Sequence, residues 1–339
     1  MDIFKNLNVL QQDFIPVEIL YKSPAKLEKL NGDIGNDNRI TNKNLSRPQL
    51  ALAGFVEFFT NNRVQIFGNT EFYYLKSLSN EDRIKSFRNI SQFEVPCIVL
   101  TGNKVLEPEL MEIANERNIA VFSSPFDSTK LVFGLSEFLD DQFAPQVVVH
   151  GSLVDVYGVG MMFHGQSGIG KSEVALDLVE RGHRLVADDI VMLTKKRESI
   201  LMGTGTNTAQ HFMEIRGLGI INVREMFGIR STRFQKRLEI IVHLEQYQPD
   251  HEYTRLGLED EPANILGIDI QFLKLPIFPG KNITVITEVI ALNYLLRTYG
   301  YNAPKVFAEM LTNSIAKKSG PQQAFHDRRM ITYFQGDNE

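Results

Sequence analysis

A glycine-rich segment that ends in lysine and serine constrains this chain more than any other feature. The pattern Gly165-x-x-x-x-Gly170-Lys171-Ser172 has the spacing of a P-loop. Glycine costs backbone entropy on folding, so its concentration here needs a structural reason. A P-loop supplies one, because its backbone N–H groups wrap the phosphates of a nucleotide. We therefore predict a nucleotide-binding site, with an ordinary glycine-rich turn before a helix as the alternative.

The residues on both sides of this pattern predict the strand and the helix that a P-loop requires. Residues 159–164 form an apolar run typical of a strand, and residues 173–181 carry apolar residues at helical spacing before Gly182. On this interpretation the loop amides and the helix N-terminus hold the phosphates of ATP. Lys171 neutralises the β- and γ-phosphate oxygens, and the Ser172 hydroxyl ligates Mg²⁺. The predicted nucleotide-binding residues are Gly165, Gln166, Ser167, Gly168, Ile169, Gly170, Lys171 and Ser172.

Two adjacent aspartates, Asp188 and Asp189, interrupt the apolar run 185–193, which we predict to be one strand. Such carboxylates are costly to bury unless they bind metal, accept strong hydrogen bonds or take part in chemistry. Near a P-loop, one aspartate often holds Mg²⁺, and a second can accept the proton of an attacking hydroxyl. The alternative is a pair of solvated charges at a strand end.

Three later segments combine charge with glycine or proline. Residues 213–222 hold a carboxylate, an arginine and glycines, residues 255–259 place an arginine before a tight turn, and residues 276–282 form a Pro/Gly loop with a cation. Each is weak evidence alone, because loops of this composition are common.

Taken in order along the chain, these segments resemble the HPr kinase/phosphorylase family of bacterial enzymes. That family phosphorylates a serine of the phosphocarrier protein HPr with ATP, and removes the phosphate by attack of inorganic phosphate, which releases pyrophosphate. The resemblance implies both reactions for this chain, with HPr, inorganic phosphate and pyrophosphate as partners. The matching blocks are residues 149–151, 165–173, 181–189, 214–221 and 255–257.

The resemblance also implies individual roles for matching residues. His150 corresponds to the active-site histidine near the transferring phosphate, although a structural histidine at a strand end is the alternative. Asp189, the second aspartate, corresponds to the general base of phosphorylation and the acid of the reverse reaction. Glu214 corresponds to a Mg²⁺ ligand that complements Ser172, and Arg255 to an arginine that stabilises charge on the phosphoryl group. The implied catalytic set is His150, Lys171, Asp189 and Arg255.

The Pro/Gly loop corresponds to the loop that the family uses for dephosphorylation, but it departs from the family pattern. The family commonly has Pro-x-Arg-Pro-Gly-Arg, whereas Phe278 and Lys281 stand at the two arginine positions here. Lysine is a point charge without the bidentate fork of arginine, and phenylalanine has no charge. We therefore expect ordinary kinase activity and a raised phosphate requirement for phosphorolysis. The loop residues are Pro276, Ile277, Phe278, Pro279, Gly280 and Lys281.

The order of predicted elements indicates an α/β protein of two domains that divide near Pro145. Residues 1–145 form a smaller N-terminal α/β domain whose role the sequence leaves open. Residues 146–339 form the P-loop kinase/phosphorylase domain, which in this family resembles the nucleotide-binding core of phosphoenolpyruvate carboxykinases. In the first part we predict strands at 93–100 and 119–122, paired in parallel, and helices at 48–59, 107–118 and 131–143.

Composition narrows the choice of partner and compartment. The net charge of −5 argues against a general attraction to nucleic acid or anionic lipid. The chain has one cysteine, Cys97, so it can form neither an intrachain disulfide nor a cysteine-rich metal site. No run approaches the ~18 apolar residues of a membrane span, and the first residues lack the apolar core of a secretory signal. We therefore expect a cytoplasmic protein.

Two other functions fit the same motifs. A P-loop kinase of a small molecule would use the same Lys171, Ser172 and Asp189, and only its acceptor would differ. A non-catalytic module that responds to ATP needs the loop alone, and the presence of Asp189 and Arg255 argues against it. The family resemblance, and nothing in the sequence itself, implies a homohexamer.

Overall fold

The computed structural model describes residues 4–5, 7–206, 210–248, 262–278 and 280–318. Over these residues the chain has a mixed α/β fold, as the sequence predicts. No helix among the described residues is both long and apolar enough to cross a membrane.

The strands of the first part of the chain are β1 (Val9–Leu10), β2 (Ile15–Pro16), β3 (Glu28–Lys29), β4 (Arg39–Ile40), β5 (Leu45–Ser46), β6 (Val64–Phe67), β7 (Cys97–Leu100) and β8 (Ala120–Ser123). This part is built on a five-stranded sheet with the order β3-β8-β7-β6-β5, in which β5 to β8 are parallel. Its helices are α1 (Gln49–Leu52), α2 (Asn69–Ser77), α3 (Asn80–Ser91), α4 (Pro108–Glu116) and α5 (Ser128–Gln142), with a 3-10 helix at Val17–Lys22. The predicted parallel pairing of 93–100 with 119–122 is confirmed by β7 and β8.

Helix α5 shows how local sequence sets this layer. The carboxylate of Asp127 accepts hydrogen bonds from the amides of Thr129 and Lys130, which caps the helix N-terminus. One side of the helix carries an apolar residue at every fourth position and is fully buried against one face of the sheet. These residues are Leu131, Leu135 and Leu139. Helices α1, α3 and α4 cover the other face.

The predicted helix at 48–59 is wrong beyond its first turn, since α1 covers only Gln49–Leu52. Gly54 takes a φ of +99° and its amide bonds to the carbonyl of Ala51, while the amide of Phe55 bonds to the carbonyl of Leu50. This pair of bonds is a Schellman motif, which ends a helix at a glycine in the left-handed region. The apolar spacing continues past the glycine, but Phe58 lies exposed on the surface.

The second part of the chain holds two larger sheets and the P-loop. Its strands are β9 (Gln146–His150), β10 (Ser152–Val156), β11 (Val159–Gly165), β12 (Arg184–Ala187), β13 (Ile190–Lys196), β14 (Ile200–Thr204), β15 (Phe212–Ile215), β16 (Gly219–Asn222), β17 (Gln235–Arg237), β18 (Ile240–Gln246), β19 (Ala263–Ile265) and β20 (Ile268–Ile277). Its helices are α6 (Lys171–Glu180), α7 (Val223–Phe227), α8 (Ile283–Thr298) and α9 (Ala303–Lys318), with a 3-10 helix at Ile229–Ser231.

A six-stranded sheet with the order β12-β10-β11-β18-β20-β19 forms the middle layer. Helices α6 and α8 pack on one face around Phe163 and Val242. The five-stranded antiparallel sheet β1-β9-β13-β14-β17 covers the other face. Its edge strand is β1, and Phe4 is buried in the same core, so Phe4 and β1 associate with the second part. The division of the chain at residue 145 stays a prediction.

Two strand-like segments, one of them the predicted strand 185–193, are each split between the two sheets. Residues 146–157 divide at Gly151 into β9 and β10, and residues 185–193 divide at the aspartate pair into β12 and β13. Residues 146–153 run antiparallel to residues 187–194 in one register, in which His150 pairs with Ile190 and Leu153 pairs with Ala187; the register shifts after Leu153. The aspartates therefore lie where the two sheets separate, opposite residues 151 and 152.

Candidate active site

The predicted strand–loop–helix context of the P-loop is confirmed. Strand β11 ends at Gly165 and α6 begins at Lys171. Gly165 has a φ of +150°, and a Cβ atom there would lie 2.5 Å from the carbonyl oxygen of Leu244. Gly168 has a φ of +77°, in the left-handed region that favours glycine. Backbone geometry and space therefore both account for glycine in this loop.

Lys171 lies against the loop that precedes it. Its Nζ donates hydrogen bonds to the carbonyl oxygens of Gly165, at 3.2 Å, and Gln166, at 3.0 Å. These bonds fix the ammonium group beside the loop backbone, where it can neutralise phosphate oxygens that the loop amides hold.

Asp188 lies at the centre of a buried polar cluster that contacts the first turn of α6. Its carboxylate accepts a hydrogen bond from Ser152 at 2.5 Å and from Ser172 at 2.9 Å. The backbone amides of Asp189 and Glu214 lie near the same carboxylate and help to lower its pKa. Burial raises the pKa of Asp188, and the hydrogen bonds from the two serines oppose this rise. Asp188 therefore holds the hydroxyl that the P-loop pattern assigns to Mg²⁺.

Asp189 has the opposite environment, since its side chain is 72% exposed. The amide of Ile190 bonds to the carbonyl of Asp188 at 2.7 Å, and Asp189 between them has a φ of +61°. An i→i+2 bond around a positive φ is a strained γ-turn, and strain of this kind concentrates at functional sites. The turn directs Asp189 towards His150, whose Nδ1 lies 3.8 Å from the Asp189 Oδ1.

Glu214 belongs to the hairpin of β15 and β16, which packs beside the P-loop helix, since Met213 is buried in the same core as Val174 of α6. No cluster of three or more His, Cys, Asp or Glu side chains suited to a metal occurs among the described residues. Mg²⁺ does not need one, because it keeps several waters and is held by one or two carboxylates together with phosphates. The oxygen donors of Ser172 and Glu214 next to a phosphate-binding loop fit that chemistry.

Comparisons with known proteins decide the family. Models of the HPr Serine kinase N terminus and the HPr Serine kinase C-terminal domain match residues 15–139 and 141–311. The chain belongs to the HPr serine kinase family.

Relatives in this family are similar along most of the chain. The HPr kinase/phosphorylase of Chloroherpeton thalassium is 51% identical over 317 residues, which cover 93% of this chain and 92% of the relative. That of Prosthecochloris aestuarii is 50% identical over 305 residues, 88% and 90% of the two chains. The solved HPr(Ser) kinase/phosphatase of Coxiella burnetii is 29% identical, and its match covers 47% of this chain and 97% of that one with a TM-score of 0.43.

Two of the residues that the HPr serine kinase pattern predicts, Arg255 and Pro279, lie outside the described residues. The predicted loop is wrong at its first two residues, because Pro276 and Ile277 end strand β20 and pair with β18; the other described residues of the loop follow the strand. The Lys281 Nζ donates to the carbonyl of Pro276 at 3.1 Å and lies 5.2 Å from the centre of the Phe278 ring. Burial lowers the pKa of Lys281. The aromatic ring thus packs under the one cation of the loop, a cation–π contact that the sequence comparison did not foresee.

Sequence reasoning missed Arg216 and Ser152. A Cβ atom added to Gly168 would lie 2.8 Å from Nη1 of Arg216, so the guanidinium packs against the P-loop backbone. Arg216 stands two residues after Glu214, and an arginine beside a carboxylate at a predicted phosphate site was an available signal. Ser152 gave no such signal, because its role depends on the pairing of β10 with β12.

Two histidines contact each other between β18 and β11, the strand that leads into the P-loop. The Nδ1 atoms of His164 and His243 are 2.9 Å apart, and Phe4 packs on the ring of His164. Burial, His243 and Lys171 lower the pKa of His164 to about 4. Burial also lowers the pKa of His243. Both rings are therefore neutral at neutral pH, which allows one to donate to the other.

Proposed function

We propose that this chain transfers the γ-phosphoryl group of ATP to a serine hydroxyl of HPr, and that it returns this group to inorganic phosphate with release of pyrophosphate. Family membership and the names of the relatives support the pair of reactions. The structural observation that carries the proposal is the exposed carboxylate of Asp189 beside His150, one residue from the buried carboxylate that contacts Ser172.

Asp189 is the general base in this proposal. Its carboxylate accepts the proton of the serine hydroxyl as that oxygen bonds to the γ-phosphorus and the bond to ADP breaks. In the reverse reaction the protonated Asp189 returns the proton to the serine oxygen as inorganic phosphate attacks the phosphorus. Its exposure suits a substrate that is itself a protein, since the hydroxyl must approach from outside. His150 stabilises charge next to the transferring group.

The P-loop holds the nucleotide. The loop amides and Lys171 bind the phosphates, and Arg216 packs against the loop beside them. Arg255 takes the role that the family pattern gives it, which is to stabilise charge on the phosphoryl group. Ser172 and Glu214 would hold Mg²⁺, which would neutralise charge on the phosphates. In phosphorolysis, Lys281 of the dephosphorylation loop attracts inorganic phosphate.

The decisive experiment is incubation of the protein with ATP, Mg²⁺ and HPr, followed by mass measurement of HPr before and after phosphate is added. The proposal expects the gain of one phosphoryl group on a serine, then its loss with formation of pyrophosphate. Phosphorylation of a compound in a metabolite panel, with HPr unchanged, would instead assign a small-molecule kinase. Tight ATP binding without phosphorylation of either would assign a regulatory module.

We also propose that the chain acts in the cytoplasm as a homohexamer, on the basis of the family resemblance. Light scattering of the purified protein measures the assembly mass directly. A monomer at the concentrations used for the kinase assay would contradict the hexamer without affecting the proposed chemistry.

A further inference from the structure

The carboxylate of Asp188 is buried and bonded to the protein itself. The hydroxyls of Ser152 and Ser172 both donate hydrogen bonds to it. Through these bonds Asp188 can orient its neighbours.

Ser152 determines how Asp188 orients Ser172. Ser152 is fully buried, and its single hydroxyl proton is directed at Oδ1 of Asp188. The Ser172 oxygen lies 2.9 Å from Oδ2 and 3.1 Å from Oδ1. Because Ser152 already donates to Oδ1, the shorter contact, to Oδ2, is the favoured direction for the Ser172 proton. The lone pairs of the Ser172 oxygen then point away from the carboxylate and are available to a cation.

Without Ser152, neither the Asp188 carboxylate nor the Ser172 hydroxyl is held in one orientation. The terminal torsion of aspartate is broad and roughly two-fold, so the carboxylate can rotate when one of its two oxygens loses its partner. Ser172 can then donate to either oxygen, and its lone pairs no longer hold one direction. The loss also leaves a buried carboxylate oxygen short of a donor.

We propose that Ser152 is a positioning residue for Mg²⁺: it fixes Asp188, and Asp188 orients the Ser172 hydroxyl towards the metal that accompanies the nucleotide. This inference rests on the proposed function, because it takes Ser172 as a metal ligand of the nucleotide site. Ser152 itself touches neither metal nor nucleotide, so its effect must pass through Asp188.

The first test is the Mg²⁺ dependence of nucleotide binding in Ser152→Ala. Fluorescently labelled ADP reports binding without HPr and without turnover. Loss of a group that orients a metal ligand typically reduces metal affinity about 10- to 100-fold. We expect the half-saturating Mg²⁺ concentration to rise by this factor, and kinase turnover at saturating Mg²⁺ to change little. Ser152→Thr keeps the hydroxyl and should stay close to wild type.

A matched control separates positioning from stability. Ser231 is also buried, but its hydroxyl contacts only the backbone carbonyls of Val223 and Gly228 among the described residues. Ser231→Ala should leave the Mg²⁺ dependence unchanged, even if the unfolding temperature falls as much as in Ser152→Ala.

The second test asks whether Ser152 acts through Asp188. In an Asp188→Asn background, Ser152→Ala should add no further shift in half-saturating Mg²⁺, because the acceptor is already altered. An unchanged Mg²⁺ dependence in Ser152→Ala, or shifts that simply add in the double variant, would overturn the inference. Mg²⁺-dependent ADP binding with no phosphorylation of HPr would overturn the proposed function and leave this inference standing.

Discussion

His150 and Asp189 face each other across the point where the two large sheets separate, with 3.8 Å between Nδ1 and Oδ1. Their meeting follows from the antiparallel register of 150–153 with 187–190, in which the Gly151 amide bonds to the Asp189 carbonyl. Both side chains are exposed, while the adjacent Asp188 is buried. The two neighbouring carboxylates thus have different environments. This difference is the basis for proposing Asp189 as the general base and Asp188 as the residue that orients Ser172.

Asp189→Asn should reduce HPr phosphorylation by about 10²- to 10⁴-fold, because the amide keeps the shape of the side chain but cannot accept the serine proton. Binding of labelled ADP should stay near wild type. Asp188→Asn is the matched comparison and should raise the Mg²⁺ requirement. If Asp188→Asn abolished transfer at every Mg²⁺ concentration while Asp189→Asn retained it, the two roles would be reversed.

Lys171→Ala should slow phosphorylation and phosphorolysis alike, because both pass through a transition state with charge on the same phosphoryl group. Loss of one preorganised contact of this kind typically costs ~10²–10³-fold in rate. Lys43→Ala, which removes an exposed lysine paired with Asp140, serves as the control. Kinase activity of Lys171→Ala within tenfold of wild type would contradict the P-loop assignment.

Replacement of both Phe278 and Lys281 by arginine should lower the phosphate concentration needed for phosphorolysis. A guanidinium fork binds phosphate through paired hydrogen bonds, and one added charge-assisted contact is worth ~1.5–3 kcal/mol, or about ten- to a hundredfold. In the present loop the Lys281 ammonium donates a hydrogen bond to the Pro276 carbonyl and lies over the Phe278 ring. Titration of phosphate against phosphoserine-HPr measures the effect, and ATP affinity should change little. Equal phosphate curves for both proteins would show that this loop does not bind the attacking anion.

His164 should make the folded protein sensitive to mild acid. Its pKa is lowered from 6.5 to about 4 in the fold, so the unfolded chain binds a proton in this interval that the folded chain does not. The free energy of unfolding therefore falls as pH drops from 6.5 towards 4. His164→Gln removes this contribution, so its unfolding temperature should decline less over that interval. Parallel curves for wild type and variant would rule out His164 as a source of the acid sensitivity.

The sequence predicted the parts of the site that are local. The P-loop, its strand and its helix depend on neighbours within about one turn or one strand, so Gly165 and Lys171 lie where the pattern put them. The split of 146–157 and 185–193 between two sheets could not be predicted, because it depends on partners far along the chain. The same holds for Ser152, whose hydroxyl is important only once Asp188 lies beside it. The end of α1 could have been predicted, because a glycine such as Gly54 commonly ends a helix. The apolar spacing that continues past Gly54 led to the longer helix prediction.

The pairing of β1 with β9 has a consequence for the order of events during synthesis. Val9 leaves the ribosome early, but its partner Val147 follows more than a hundred residues later. At ~5–20 residues per second, the first strand must wait on the order of ten seconds for the sheet that it completes. Residues 15–139 emerge in between, so they can fold before the strand that pairs with β1 has been made.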